Sequence, residues 1–156
     1  MKALVAFFSA SGVTAALSRR LAEAIHAPLY EIRPAVPYTQ ADLDWRDKQS
    51  RSTIEMSDRN CRPALADLSA PVGDAEIIFV GYPVWWYREP SIIDSFLEAY
   101  DFTGKKIVLF ATSGSSDIGE EATQRAAEIT KAEILPGKRF SAGASADELK
   151  AWAEKL

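Results

Sequence analysis

Three hydroxyl side chains and a glycine lie together near the start of the chain, in the order Ser9-Ala10-Ser11-Gly12-Val13-Thr14. They follow a short apolar run and precede a stretch whose apolar residues recur every four positions, so they occupy the turn between a strand and a helix. The free N–H groups at the start of a helix and the positive end of its dipole attract anions, and the hydroxyls add further donors. This combination predicts a site for a phosphate monoester.

This phosphate loop, residues 9–14, differs from the loops that bind di- and triphosphates. It has no Lys or Arg, whereas the lysine of a P-loop contacts the β and γ phosphates, and the G-x-G-x-x-G pattern of dinucleotide-binding loops is absent. A single terminal phosphate fits these residues better. The alternative is that Ser9 and Thr14 only cap the helix, which is a common role for such side chains.

A second loop is unusual because it is aromatic. It follows a hydrophobic run that predicts a strand, 75–80. Planar side chains at the end of a buried strand can stack on a planar ring, while the flanking backbone contacts the polar edge of that ring. The alternative is that they pack beneath the segment 37–74 or form a partner interface. The candidate binding residues of this aromatic loop (81–90) are Pro83, Val84, Trp85, Trp86 and Tyr87.

A third loop, residues 112–117, consists of small polar residues after another β-rich run. Its hydroxyls and backbone N–H groups carry little bulk, so a ring edge can approach the main chain closely. The alternative is an ordinary turn between a strand and a helix. The candidate binding residues here are Thr112, Ser113, Gly114 and Ser116.

Alternating strand and helix signals bring these three loops to one edge of a sheet. Apolar or β-rich runs predict five strands, at 3–8, 29–32, 75–80, 105–111 and 132–135. Amphipathic spacing predicts helices at 13–25, from Pro90 onward, through 124–129, and at 146–156 with Ser145 as N-cap. The connections allow crossovers, which indicates an α/β fold with an open, doubly wound parallel sheet covered on both faces. Such sheets bind ligands at the carboxyl ends of their strands.

The segment 37–74 is the least regular part of the chain. It is polar and charged, with signals for helical turns between Gln40 and Met56 and an interruption at Pro63. We interpret it as a surface insert within a single domain that spans 1–156. It has two candidate roles, covering the site or making a dimer contact.

The composition excludes several kinds of function. The formal net charge is −4, and the 18 basic and 22 acidic residues form no basic stripe for nucleic acid. The one cysteine, Cys61, and the one histidine, His26, predict neither a disulfide nor a zinc site. Because both lie away from the three loops, we assign no catalytic residue and no metal ligand. No apolar run approaches the length of a membrane helix, and we expect a cytoplasmic protein.

The three loops, in this order along a five-stranded parallel sheet, resemble the flavodoxin family over nearly the whole chain. The phosphate loop resembles the flavodoxin pattern S/T-x-S/T-G-x-S/T, while 81–86 and 112–115 resemble the loops that flank the flavin ring. The resemblance implies the strand order 2-1-3-4-5 and flavin mononucleotide (FMN) as cofactor. The residues implied to contact FMN are Ser9, Ser11, Gly12, Val13, Thr14, Pro83, Val84, Trp85, Trp86, Tyr87, Thr112, Ser113, Gly114 and Ser116.

The resemblance leaves two functions open. In the first, the protein carries electrons between redox partners that dock on an acidic rim made of Glu89, Asp117, Glu120 and Glu121. In the second, it is an FMN oxidoreductase that takes hydride from NAD(P)H and reduces a quinone or similar acceptor at an open flavin face. The modest length favours the first. The second is favoured because no Tyr follows Tyr100, whereas the best-studied flavodoxins stack a Tyr from the third loop. We place electron transfer first, with a homodimer as one arrangement.

A receiver or another regulatory domain can share this architecture, because a fold does not fix a function. A receiver needs an acidic cluster after its first strand and a phosphoacceptor Asp after its third. This sequence has Ser9 and Pro83 at those places. We therefore set that alternative aside.

Overall fold

The structure is a computed structural model that describes residues 2–113, 117–118 and 120–156. The described residues form five strands: β1 (Ala3–Phe7), β2 (Leu29–Glu31), β3 (Ile77–Pro83), β4 (Lys106–Thr112) and β5 (Glu133–Phe140). They also form five α-helices: α1 (Val13–Ala24), α2 (Arg51–Ser57), α3 (Ser91–Ala99), α4 (Glu120–Thr130) and α5 (Ala146–Glu154). The described residues also include a 3-10 turn at Val72–Asp74, which precedes β3.

The five strands form one sheet in the order β2-β1-β3-β4-β5, and every neighbouring pair is parallel. The predicted fold class and strand order are confirmed. The chain proceeds from β1 to β2 in one direction and to β3, β4 and β5 in the other. The strand order therefore reverses between β1 and β3, and ligands of such sheets bind beyond the carboxyl ends of the strands at that point.

Helices cover both faces of the sheet because the strands are apolar on both sides. On one face, Leu17 and Leu21 of α1 and Leu149 of α5 pack with Val5 and Phe110. On the other face, α3 and α4 pack on Leu4, Ile78 and Leu109, with Ile92, Ile93, Phe96, Ala122 and Ala126 as their buried side chains. Burial on both faces explains why the central strands read as continuous apolar runs rather than as alternating patterns.

The last strand is longer than predicted, because it continues to Phe140 rather than ending at residue 135. Its register with β4 shifts between Val108 and Phe110, where Pro136 and Gly137 together oppose Leu109. This is a β-bulge, which inserts an extra residue without ending the strand. Proline and glycine usually mark the end of a strand, so the predicted strand ends before Pro136 and is too short. β3 also runs later than predicted, from residue 77 to 83.

The β-bulge requires a residue without a side chain at position 137, and this requirement can be tested. A Cβ atom on Gly137 would lie 2.4 Å from the carbonyl oxygen of Leu109 and 2.5 Å from Cδ1 of Ile118. Backbone cannot move aside cheaply, so we expect Gly137→Ala to lower the free energy of unfolding by about 2 kcal/mol. Urea unfolding measures the change. Gly143→Ala is the control, since its Cβ would meet nothing within 4 Å; equal stability of the two variants would contradict the prediction.

The segment 37–74 contains less helix than its sequence suggests. Turns occupy 40–43, and the α-helical part is α2, whose N-cap Ser50 accepts a hydrogen bond from the Thr53 amide at 3.4 Å. The segment is not only a surface excursion, because Met56 is buried. α2 therefore packs on the domain through Ser52 and Met56, beside the aromatic loop.

Candidate functional site

A groove of about 350 Å³ opens at the carboxyl ends of the sheet strands. Its size suits a small-molecule site. The residues that line it are Ser11, Val13, Pro83, Thr112, Ser113, Ser141 and Ala142. All three predicted loops therefore meet in one place, and five of these seven residues were among the candidates.

The phosphate loop turns into α1 at Gly12, which has a φ of 92°. Residues that carry a side chain rarely adopt this left-handed backbone conformation, which explains why a glycine is found here. Oγ of Ser9 accepts hydrogen bonds from the amides of Gly12 (3.1 Å) and Ala15 (3.2 Å). Ser9 therefore does cap the start of α1, as the alternative states. Its hydroxyl proton can still be donated to a phosphate.

Thr14 has a different place from the other hydroxyls of the loop. Its side chain is buried, and its Oγ1 lies 2.8 Å from Oγ1 of Thr112. This hydrogen bond ties the phosphate loop to the end of β4. Ser11 is exposed, with no hydrogen bond to its hydroxyl from the described residues.

The loop fits the phosphate of FMN. Within 2–113, 117–118 and 120–156, no acceptor is found for the amides of Ser11, Val13 and Thr14. These amides belong to the loop and the first turn of α1, where the helix dipole is positive. The described lining residues of the groove include no carboxylate that would repel the anion. Backbone donors and the Ser11 hydroxyl can therefore hold one phosphate without a basic side chain.

The aromatic loop divides into a buried and an exposed part. Trp85 packs edge-to-face against Phe8 and Tyr38, with its ring centroid 5.5 Å from each of theirs. Tyr38 belongs to the segment 37–74, so the alternative of packing beneath this segment holds for Trp85. Trp86 and Tyr87 are 41% and 80% exposed, and they are the side chains free to cover a ring.

Trp86 and Tyr87 occupy the centre of a tight turn. The amides and carbonyls of Trp85 and Arg88 pair with each other at 3.0 and 3.1 Å. The two residues between them have φ values of 47° and 64°. Positive φ at both central positions is typical of a type I′ turn, which usually contains Asn-Gly. Two bulky residues in this conformation cost roughly 1–2 kcal/mol each.

The third loop is described only in part. Thr112 and Ser113 line the groove, whereas the candidates Gly114 and Ser116 lie outside the described residues. The amide of Val84 donates to the carbonyl oxygen of Thr112 at 3.2 Å, so the aromatic and third loops are held together. Nη1 of Arg139 donates to the carbonyl oxygen of Ser113 at 3.1 Å.

A fourth contribution, from Ser141 and Ala142, was not predicted. These residues follow β5, and Nη2 of Arg20 on α1 donates to the carbonyl oxygen of Ala142 at 2.9 Å. Arg20 also donates to the carbonyl oxygen of Ala144. The signal available was a short stretch of small residues at 141–144, but it becomes meaningful only when β5 is known to reach residue 140.

The acidic rim needs a correction at Glu89. This side chain was expected on the surface, but it is 3% exposed, because it lies inward beside the buried Arg88. Its carboxylate oxygens accept no hydrogen bond from the described residues, and Oε1 lies 3.7 Å from Nη1 of Arg88. The pKa of Glu89 is raised to about 7, mainly by burial and then by the nearby Asp94 carboxylate, while Arg88 opposes the shift. Asp117 is exposed.

Two other features concern metals and membranes. Among the described residues, no three His, Cys, Asp or Glu side chains are grouped as a metal ion would require. None of the described helices has the length and apolar character that crossing a membrane demands. His26 lies between α1 and β2, away from the groove.

Comparison with known proteins identifies the family. The family model described as flavodoxin matches residues 2–156, which is nearly the whole chain. The chain belongs to the flavodoxin family. No match is found among the curated proteins.

Solved structures resemble this flavodoxin-family chain over almost its full length. A candidate flavoprotein from Bacteroides eggerthii is 38% identical with a TM-score of 0.92, covering 99% of this chain and 97% of its own. Another, from Bacteroides uniformis, is 44% identical with a TM-score of 0.90, covering 98% and 97%. A Lactobacillus acidophilus flavoprotein solved in complex with FMN is 19% identical with a TM-score of 0.70, covering 97% and 98%, which shows a shared fold.

Proposed function

We propose that this protein binds FMN in the groove and carries electrons between redox partners. FMN is the cofactor that membership of the flavodoxin family assigns to it. The supporting observation is that the phosphate loop meets the ends of β3 and β4 at the point where the strand order reverses. A phosphate site and the aromatic turn therefore lie at the same end of the sheet.

The protein and the cofactor have separate tasks. FMN supplies the redox chemistry when bound. Ser11 and the free amides of residues 11, 13 and 14 bind and orient the phosphate. Trp86 and Tyr87 cover one face of the ring and exclude water from it. Val84 and the small third loop leave the backbone accessible to the polar edge of the ring.

Electron transfer is favoured because the described lining residues of the groove offer no acid or base. The described lining residues of the groove carry hydroxyl, methyl and pyrrolidine groups, none of which titrates near neutral pH. A carrier needs no proton transfer from a side chain, whereas most reductases also position a substrate. The chemistry of the site therefore suits a protein that only holds and tunes its flavin.

Redox partner proteins are the proposed partners, and the cytoplasm is the proposed location. With Glu89 buried and the side chain of Glu120 outside the described residues, the rim's exposed acidic side chains that the structure describes are Asp117 and Glu121. Glu121 forms an exposed ion pair with Arg59, and such pairs contribute little stability and can open on docking. The single thiol of Cys61 suits a reducing compartment.

The phosphate site can be tested by comparing FMN with riboflavin, which lacks the phosphate. The expected result is that wild-type protein binds FMN more tightly than riboflavin. Ser11→Ala should weaken FMN binding about tenfold, because a hydrogen bond to a charged group contributes roughly 1.5–3 kcal/mol, and should leave riboflavin binding unchanged. Fluorescence titration measures both affinities. Failure of the wild type to bind either flavin would contradict the proposed function.

A second candidate function is an NAD(P)H-dependent oxidoreductase. It is favoured by the single aromatic turn, since Tyr100 is the last tyrosine of the sequence and no second aromatic wall is available from the third loop. Anaerobic titration of the FMN-loaded protein separates the two functions. Direct bleaching by NADH or NADPH would support the oxidoreductase, whereas reduction only by dithionite or a partner reductase would support the carrier.

A further inference from the structure

Arg88 is a buried cation at the base of the turn that presents Trp86 and Tyr87. Its side chain is 6% exposed, although it follows the 80% exposed Tyr87 directly. A buried guanidinium needs partners for its five donors. Those partners indicate what Arg88 holds together.

The guanidinium of Arg88 joins the aromatic turn to the end of α2. Nη2 donates to the carbonyl oxygen of Met56 at 3.1 Å, and Nη1 donates to the carbonyl oxygen of Glu89 at 3.1 Å. Met56 lies in the last turn of α2, where unpaired carbonyls and the negative end of the helix dipole attract a cation. The backbone of Arg88 closes the turn through its two bonds to Trp85. One residue therefore connects the turn to the segment 37–74.

α2 is itself fixed, so it can serve as a support. Nε of Arg51 donates to Glu55 at 2.9 Å, and its Nη1 donates to the carbonyl oxygen of Val36 at 2.7 Å. The same guanidinium lies 3.9 Å from the ring centroid of Tyr38, whose hydroxyl donates to Glu55. Oγ of Ser91, at the start of α3, donates to the carbonyl oxygen of Glu55 at 3.4 Å. α2 is thus tied to Tyr38, which packs against Trp85 of the aromatic loop, and to Ser91, which follows that loop.

The turn needs such a support because its central residues do not favour its conformation. Trp86 and Tyr87 both have positive φ, and residues of this kind stay there only when the surroundings hold them. The two backbone bonds between Trp85 and Arg88 close the turn but do not fix its direction. The buried hydrogen bond from Arg88 to the carbonyl oxygen of Met56 fixes the turn against α2.

We propose that Arg88 is the positioning residue of the flavin site, holding the Trp86–Tyr87 turn against α2 so that its aromatic side chains face the flavin ring. The inference rests on the proposed function, since it assigns a purpose to the turn only if a flavin binds. It also gives the segment 37–74 a role, as the support of the ring-binding loop. Arg88 acts through the turn and does not itself contact the cofactor.

The test is Arg88→Lys, with affinities for FMN and riboflavin measured side by side. Lysine keeps the charge, but a single ammonium cannot reproduce the planar fork of donors. We expect both dissociation constants to rise about tenfold by the same factor, because both ligands share the ring. The FMN-to-riboflavin ratio should stay as in the wild type, and the absorbance band of the bound flavin should shift.

Arg125→Lys is the matched control. Arg125 also lies near Asp94, with Nε 3.5 Å from Oδ2, and its Nη2 donates to the carbonyl oxygen of Arg59 rather than to the aromatic loop. It should leave both affinities unchanged. A second variant, Arg51→Met, loosens α2 at a side chain that is 23% exposed. It should weaken both ligands about threefold, which keeps the inference testable if Arg88→Lys does not fold.

The outcomes separate the inference from the proposed function. If Arg88→Lys unfolds at lower urea but binds both flavins as tightly as the wild type, Arg88 is merely structural and the inference is wrong. The same conclusion follows if only FMN binding weakens. If the wild type binds neither flavin, the proposed function itself fails. Equal weakening of both ligands with an unchanged control supports the inference.

Discussion

Replacing Trp86 by Asn and Tyr87 by Gly is expected to stabilise the apoprotein by about 2–4 kcal/mol and to weaken FMN binding about a hundredfold. Asn-Gly is the preferred pair for a turn with two positive φ values, so the backbone strain is removed. Both aromatic side chains are largely exposed, and their loss costs little packing. Their ring contacts with the flavin disappear, and a hundredfold change corresponds to about 2.7 kcal/mol of binding.

Urea unfolding and FMN titration measure the two effects on the same samples. Lys131→Gly is the matched control, because Lys131 also has a positive φ, 58°, but lies after α4 and away from the aromatic loop. It should stabilise the chain by about 1 kcal/mol, as glycine does at such positions, without changing affinity. If the Asn-Gly variant binds FMN like the wild type, these aromatic residues do not cover the ring.

The strained turn explains why the sequence could not assign the two tryptophans. Trp85 and Trp86 are adjacent and chemically identical, yet one packs against Phe8 and Tyr38 and the other faces solvent. Their directions depend on where the turn closes, and an Asn-Gly pair that would mark it is absent. Only the structure shows that Trp85 is the packed residue and that Trp86 is the one available to a ligand.

The strands and the phosphate loop were predictable because local patterns determine them. Apolar runs buried on both faces read as parallel strands, and Gly12 marks the turn into α1. The groove residues Ser141 and Ala142 were missed because their position depends on a bulge and on Arg20, which is 122 residues away from Ala142 in sequence. Long-range contacts of this kind leave no local pattern.

Glu89 was misplaced for a related reason, and it carries the second large prediction. Charged residues are mostly exposed, so a glutamate beside an aromatic loop was expected on a docking surface. The structure buries it beside Arg88 and near Asp94, with no hydrogen bond from the described residues to its carboxylate. A neutral carboxyl is easier to bury than a carboxylate, and its ionisation therefore opposes folding.

The unfolding free energy is expected to fall by about 3 kcal/mol between pH 5 and pH 8. Burial raises the pKa of Glu89 from its ordinary value of 4.5 to about 7, so the folded chain holds this proton more tightly than the unfolded chain. The stabilisation from the bound proton is complete below about pH 4.5, is lost as the pH rises to about 7, and then stays constant. A pKa difference of about 2.5 between the folded and unfolded chain corresponds to roughly 3 kcal/mol of unfolding free energy.

Urea unfolding at pH 5, 6, 7 and 8 checks this sign and size. Glu89→Gln cannot ionise and should remove most of the slope, while the exposed Glu128→Gln should keep it. The pKa of Asp67 is lowered, mainly by its hydrogen bond from Tyr30, so its effect on stability has the opposite pH dependence. This stabilisation is lost only at more acidic pH, outside the range measured here. If wild-type stability is constant across this range, the Arg88 guanidinium stabilises the Glu89 carboxylate enough to offset its burial, and the pair is a conventional ion pair.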